Sequence, residues 1–288
     1  MIQRNNNLSV LPFYTSIDEQ LHRRSYAYGD VYPLYTPVGY VPPFQIVVPH
    51  QNPMTISNAQ LYRADGQYIG SILSQLSAGG LTRKDFPGYD VIIYPGTAAG
   101  GIPSEGQFYI VITQANGAKF YSDVFTSVGQ IDAFLKIEWW DLQDFIMDTG
   151  RIVYDLGNDN LFKNRLYLST QLGKPEYEFN EEGENRDGYF FPEKQISQKK
   201  FKCVFLGSEY LCDVMRFIRL SDFVKITDRY GHVYRADTFL ITPKWEQQGN
   251  VASVELEFTC DTVAKKIPQS LSIVGDYNID YSNDFFND

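Results

Sequence analysis

Apolar and polar positions alternate through much of this chain with a period of two, the pattern of a strand that has one face on a core and one in solvent. It is cleanest in VASVELEFTC, where Ala252, Val254, Leu256, Phe258 and Cys260 fall on one side and Val251, Ser253, Glu255, Glu257 and Thr259 on the other. FKCVFL repeats it with Phe201, Cys203 and Phe205. DFVKIT, VYRADTFLIT, GRIVYDL and NRLYLSTQL read as further strands, and IDAFLKIEWWDL begins one near Phe134. Turn chemistry separates them. Asn116-Gly117 lies between QFYIVITQA and AKFYSDVF, and Asp65-Gly66 between TISNAQLYRA and QYIGSIL. Both dipeptides accept the positive φ angles of a two-residue hairpin turn. YDVIIYPG is a short apolar strand between these hairpins, and Arg229-Tyr230-Gly231-His232 and Gln248-Gly249-Asn250 supply later turns.

One segment has a helical period instead. In SEYLCDVMRFIRL, residues 208–220, Leu211, Met215 and Ile218 recur at helical spacing with Val214 beside them, and Tyr210 and Phe217 widen the stripe. Ser208 is placed to cap the helix. The pattern therefore predicts an all-β protein, mainly strands with one short helix. Residues 1–30, polar and irregular, read as an extended N-terminal arm. Residues 31–127 open on a proline-rich stretch and continue as short strands at close spacing, the signature of an immunoglobulin-like or fibronectin-like β-sandwich. Residues 128–267 form a second β domain carrying the helix, and residues 268–288 an acidic, aromatic C-terminal tail with four Asp and no Lys or Arg.

Composition agrees with this picture. Aromatics make up 15% of the 288 residues, with 21 Tyr and 20 Phe, and flat rings suit pleated surfaces. No apolar run approaches the ~20 residues of a membrane helix. The net charge of -10 opposes binding to phosphate backbones or anionic membranes, which calls for excess Lys and Arg. Cys203, Cys212 and Cys260 form no CxxC pair and read as buried thiols, in keeping with synthesis in a reducing cytoplasm. The first twenty residues show neither the apolar region nor the cleavage site of a signal peptide.

Candidate chemistry is sparse. His22, His50 and His232 fall in an arm, a proline-rich loop and a turn, without HxH or HExxH spacing and without a GxSxG elbow in the chain. The loop 97–106 holds Gly100-Gly101 but no GxGxxG or GK[ST] pattern. Asp155, Asn158 and Asp159 in DLGNDN offer oxygen ligands for calcium, without the DxDxDG order of an EF-hand; a polar turn explains them as well. Trp139-Trp140 with Glu138, Asp141 and Asp144 resembles a sugar site, yet neighbouring residues of a strand point to opposite faces, so one tryptophan belongs to the core and the other to an edge or interface. An acidic run containing Glu176, Glu178, Glu181, Glu182, Glu184 and Asp187 precedes a basic one of Lys194, Lys199, Lys200 and Lys202. Each run alone reads as a solvated hairpin or face, and the two together make head-to-tail complementarity between subunits worth testing.

The stretch from KNRLYLSTQLGKPEYEFNEEG through FKCVFLGSEYLCDVMRFIRLSDFVKIT to DTFLITPKWEQQGNVASVELEF, about residues 130–267, resembles a family of tail-associated structural proteins of Bacteroidetes phages and prophages. Strands, one helix and a β-meander are also similar to tail-hub and distal-tail domains. The resemblance implies a non-enzymatic virion protein of the tail, baseplate or tail tip, made in the host cytoplasm. It would assemble as a ring or sleeve with its own copies and other tail proteins, with no cofactor, no nucleic acid and no membrane. The expected interface residues are Glu181, Glu182, Glu184, Lys199, Lys200, Trp140, Tyr277, Tyr281 and Phe285. Removal of residues 1–30 or 268–288 is then expected to weaken association without unfolding the sheets. The alternative is a glycan- or receptor-binding module, with Trp139, Trp140 and the 97–106 loop as stacking platforms. A carbohydrate hydrolase ranks behind both.

Overall fold

The computed structural model describes residues 9–17, 34–49, 56–86, 89–96, 101–142, 145–146, 152–153, 162–186, 188–245 and 251–266. Strands dominate, and the all-β class read from the alternation is the class observed. In chain order they are β1 (Phe13–Tyr14), β2 (Tyr35–Pro37), β3 (Phe44–Pro49), β4 (Ile56–Arg63), β5 (Tyr68–Ser71), β6 (Thr82–Phe86), β7 (Tyr89–Tyr94), β8 (Gly106–Gln114), β9 (Lys119–Ser122) and β10 (Phe125–Val128). Then come β11 (Leu135–Trp140), β12 (Phe145–Ile146), β13 (Ile152–Val153), β14 (Asn164–Leu168), β15 (Glu176–Arg186), β16 (Tyr189–Ser208), β17 (Phe223–Thr227), β18 (Val233–Lys244) and β19 (Val251–Lys266).

In the first part of the chain, β8 is the central strand. It pairs with β4 along one side and with β9 and then β10 along the other, while β1, β2 and β5 complete a seven-stranded sheet. A smaller sheet of order β3-β7-β6 contributes Phe44, Ile46, Val48, Ile92 and Tyr94 to the same core as Phe108, Ile110 and Ile112 of β8, so the two sheets form a sandwich-like pair. The other face of β8, Tyr109 and Val111, is covered as well, with Val124, Ile17 and Tyr62. Burial on both faces explains why FYIVI reads as a continuous apolar run where most strands alternate.

The second part is a seven-stranded sheet of order β14-β11-β17-β18-β19-β16-β15. Its inner side carries the alternating set read from the sequence: Ala252, Val254, Leu256, Phe258 and Cys260 are all inaccessible to solvent. The helix α2 (Glu209–Met215) covers this side with Leu211, Cys212, Val214 and Met215, and the Ser208 hydroxyl accepts from the Leu211 amide at 3.2 Å as its N-cap. Burial pushes the thiols up, Cys203 to about 12 and Cys212 and Cys260 to about 11, so all three stay protonated at neutral pH.

The structure alters several expectations. The helical segment 208–220 is not one helix: α2 ends at Met215 and a separate 3-10 turn spans Ile218–Leu220. A second short helix, α1 (Leu73–Ala78), stands where QYIGSIL was read as strand to its end. Ile72 and Leu76, one helical turn apart, are both buried while Ser74, which a strand would place on their face, is exposed. GRIVYDL contributes only Ile152–Val153 to described strand, paired with Phe145–Ile146.

The largest correction concerns the arm. Phe13–Tyr14 pair with β9, and Val10, Leu11, Phe13 and Tyr14 are buried, so this part of residues 1–30 belongs to the folded core. Four large apolar side chains within five positions cannot be left in water at no cost when an adjacent sheet edge can take them.

One hydrophobic core cluster runs from Val10 to Cys260 through both sheets. Tyr35 and Phe134 meet at a tilt across the junction with ring centroids 4.9 Å apart, Arg165 Nη1 donates to the Gly96 carbonyl, and the Tyr210 hydroxyl on α2 donates to the Ser9 carbonyl. Among the described residues no helix is long and apolar enough to cross a membrane.

Candidate assembly surface

The acidic and basic runs form one long hairpin. β15 pairs with β16 from Arg186↔Tyr189 to Glu176↔Lys200, and β16 continues along β19 from Lys194↔Lys266 to Ser208↔Val251. Gly188 takes a positive φ of 87° at the turn. The three strands leave the main sheet at a bulge. Ser197 pairs with Val263 and Lys199 with Cys260, so Asp261 and Thr262 share the position opposite Gln198, and Asp261 adopts a left-handed φ of 53°. On the other side of β19, Ala236 pairs with Cys260 and Thr238 with Thr259, leaving Asp237 as the extra residue of β18; its carboxylate accepts from the Thr262 amide at 3.1 Å. Bulges bend a strand and sharpen its twist. Beyond this one β18 no longer pairs with β19, and β15, β16 and the end of β19 project as a three-stranded arm.

The charges of the arm meet across its strands. Lys200 bridges Glu178 at 3.1 Å and Glu257 at 2.6 Å, Lys202 meets Glu176 at 3.1 Å, Lys194 meets Glu182 at 3.1 Å and Lys199 meets Asp261 at 2.8 Å. The Gln195 amide donates to Glu181. The two runs singled out in the sequence thus serve each other within one hairpin, and Glu182, Lys199 and Lys200 have intrachain partners. Exposed pairs of this kind stabilise by a few tenths of a kcal/mol to ~1 each, enough to favour this register over slipped ones.

The apolar residues of the arm have no such cover. Phe179, Ser197 and Val263 form one cross-strand row, and Tyr177 lies two residues from Phe179 on the same face. Tyr177 is 73% exposed, Phe179 62% and Val263 66%. Opposite Tyr177 stands Lys199, two residues before the buried Phe201, so this face continues the core-facing side of the sheet past the end of the core. The alternation in β16 is legible in sequence, but nothing in it marks where the core stops.

Trp139 is buried in the core, as one member of the Trp pair had to be. Trp140 faces the opposite side, stacked on Phe223 at 5.3 Å with Lys163 Nζ 4.6 Å above its ring. Beside it, Glu138 is buried and held by Lys136 at 3.0 Å, Arg165 at 3.1 Å and Lys225 at 3.7 Å. Burial works to raise the Glu138 pKa, but the hydrogen bonds and charges of Lys136 and Arg165 outweigh it and the net shift is downward. A carboxylate whose folded pKa lies below its unfolded value stabilises the fold above the unfolded pKa, and this is lost as pH falls through the folded one. Glu138→Gln is therefore expected to cost about 3 kcal/mol at pH 7, because three cations lose their shared anion. The penalty should shrink as pH drops below the ordinary 4.5 of a glutamate, which urea titrations at pH 7 and pH 3.5 would measure.

Asp155, Asn158, Asp159, Tyr277, Tyr281, Phe285, His22, His50 and the start of the 97–106 loop lie outside the described residues. Glu184 is on β15 near the tip of the arm. His232 sits in the β17–β18 turn with Nδ1 3.0 Å from Asp228 Oδ2. Among the described residues no group of three or more His, Cys, Asp or Glu is placed to hold a metal ion. Comparison with protein-family models, with curated proteins and with solved structures gives no match.

Proposed function

We propose that this chain is a non-enzymatic structural subunit of a bacteriophage tail, baseplate or tail-tip region, which associates with its own copies and with other tail proteins. The observation that carries the reading is the arm, which extends the core-facing side of a sheet into solvent and presents Tyr177, Phe179 and Val263 there. Aromatic residues are enriched in interface cores, where a rigid ring buries much area at little entropic cost. The contact is made by this face and not by the edge of β15, where the charged side chains of Glu176, Glu178, Glu181, Glu182 and Glu184 disfavour pairing with a further strand. The resemblance of residues 130–267 supplies the tail context, and the arm supplies the means of association.

The test is the mass in solution across a concentration series, with Tyr177→Ser, Phe179→Ser and Val263→Ser combined in one variant. The parent chain should associate. The variant should do so at least ~100-fold more weakly with an unchanged circular dichroism spectrum, since each buried side chain contributes about 1.5–3 kcal/mol. A parent chain that stays monomeric at the highest attainable concentration, or a variant of equal mass, would overturn the reading. Rings or sleeves of the parent chain in electron micrographs would support the tail assignment.

A further inference from the structure

The outer face of the second sheet, opposite the core, carries a cluster that this assembly reading does not use. Arg165, Glu138, Lys225 and Arg235 are successive register partners across β14, β11, β17 and β18, so they form one row on that face. Trp140 and Phe223 form the next row, stacked at 5.3 Å. Lys163 Nζ lies 4.6 Å above the Trp140 ring and the Arg235 guanidinium 5.1 Å above that of Phe223. Lys136 shares the face two residues from Glu138. Two cations thus lie over two half-buried rings and three more surround the adjacent Glu138, in a chain whose net charge is -10. Of the acids at hand, Glu138 is buried among Lys136, Arg165 and Lys225, while Asp141 and Asp222 at the rim accept the backbone amides of Asp222 and Leu142. The site suits a ligand that brings carboxylates and aromatic rings together: anions for Lys163, Lys225 and Arg235, and rings to pack on Trp140 and Phe223.

The chain itself contains such a segment. Residues 276–288 carry Asp276, Asp280, Asp284 and Asp288 interleaved with Tyr277, Tyr281, Phe285 and Phe286, and no Lys or Arg. We infer that this segment docks in cis on the Trp140–Phe223 cluster. The reach is right. From Lys266 the cluster lies about six residues back along the strands and two to three strands across, a span of about 25 Å at ~3.3 Å per residue and ~4.8 Å per strand. Residues 267–275 carry no charge, and extended they cover about 30 Å. They bring the first aspartate to the patch with little slack. A tether that matches its span holds the segment at an effective concentration in the millimolar range, so modest contacts suffice. Nucleic acid is the other ligand class with charge and rings. The chain's overall negative charge opposes it, and the acidic segment would compete with it. The inference stands apart from the assembly reading, since it concerns a different face and needs no second copy.

Zero-length carbodiimide cross-linking tests it on the full chain. An equal mixture of isotopically heavy and light chains, mixed in urea and refolded together, is treated and digested. The expected products join Lys163 or Lys225 to a peptide from 276–288, with both halves heavy or both light. A variant carrying Trp140→Ala and Arg235→Glu keeps the reactive lysines and should lose at least about fivefold in yield. So should one carrying Tyr277→Ser, Tyr281→Ser and Phe285→Ser, which leaves every described residue unaltered. Mixed heavy–light products in statistical amount would place the segment on a neighbouring chain and overturn the inference. So would absence of the products, or yields unmoved in both variants. Saturable binding of a poly-dT oligonucleotide that disappears in the Trp140→Ala, Arg235→Glu variant would overturn it in favour of a nucleic-acid surface. The assembly reading is decided separately by the Tyr177, Phe179 and Val263 variant, whose mass does not depend on this patch.

Discussion

Deletion of residues 1–14 is expected to abolish the cooperative unfolding transition. The deletion removes Val10, Leu11, Phe13 and Tyr14, all at most 8% exposed, and with them strand β1 along β9. At about 1.5–3 kcal/mol for each buried side chain the loss is roughly 8 kcal/mol, comparable with the whole stability of a typical domain, about 5–15 kcal/mol. It also exposes the edge of β9 and removes the Ser9 carbonyl that accepts the Tyr210 hydroxyl, so the damage reaches the helix of the second sheet. Urea titration followed by tryptophan fluorescence would show a shallow, non-cooperative curve at concentrations where the parent chain is folded. Leu11→Ala, at a site with no solvent exposure, gives the graded version, an expected loss of about 3 kcal/mol. If the deleted chain kept the parent transition, the placement of residues 9–14 in the core would be wrong.

Phe258→Ala should cost about 4 kcal/mol, at the upper end of single substitutions. Phe258 is wholly buried on β19, between β16 and β18. Its ring stacks on Phe201 at 5.3 Å and approaches Tyr234 at 6.1 Å, and Phe239 is its register partner on β18. Four aromatic residues from three strands therefore meet here, and a cavity at their centre cannot close without moving strands that are bonded on both sides. Leu240→Ala, one residue from Phe239 but 49% exposed on the outer face, should change stability by no more than ~0.5 kcal/mol. Equal losses in the two variants would show that the faces have been assigned the wrong way round.

The contrast between Phe258 and Leu240 marks what can be read without a structure. In VASVELEFTC the period of two is unbroken, so the buried set could be named before its neighbours were known. In VYRADTFLIT, Phe239 and Leu240 are adjacent and equally apolar, and only the pairing of Phe239 with Phe258 decides which turns inward. The same ambiguity separated Trp139 from Trp140: opposite faces were certain from strand geometry, while the identity of the core member depended on the pairing of β11 with β14 and β17. The acidic and basic runs were visible as runs. That they pair with each other within one hairpin follows from the turn at Gly188, which folds one back along the other.

The alternating strands such as β18 and β19, the hairpin turns, the helix start at Ser208 and the absence of familiar catalytic spacings were determined by the amino-acid sequence alone, because each depends on residues within a few positions of one another. Three things required the tertiary structure: that residues 9–14 complete a core, that the inner face of the second sheet runs on past that core at the Asp261 bulge, and that Lys163 and Arg235 converge on Trp140 and Phe223. Each joins positions tens to hundreds of residues apart. Local propensity is silent about such separations, and burial is a property of what packs above a residue, not of the residue itself.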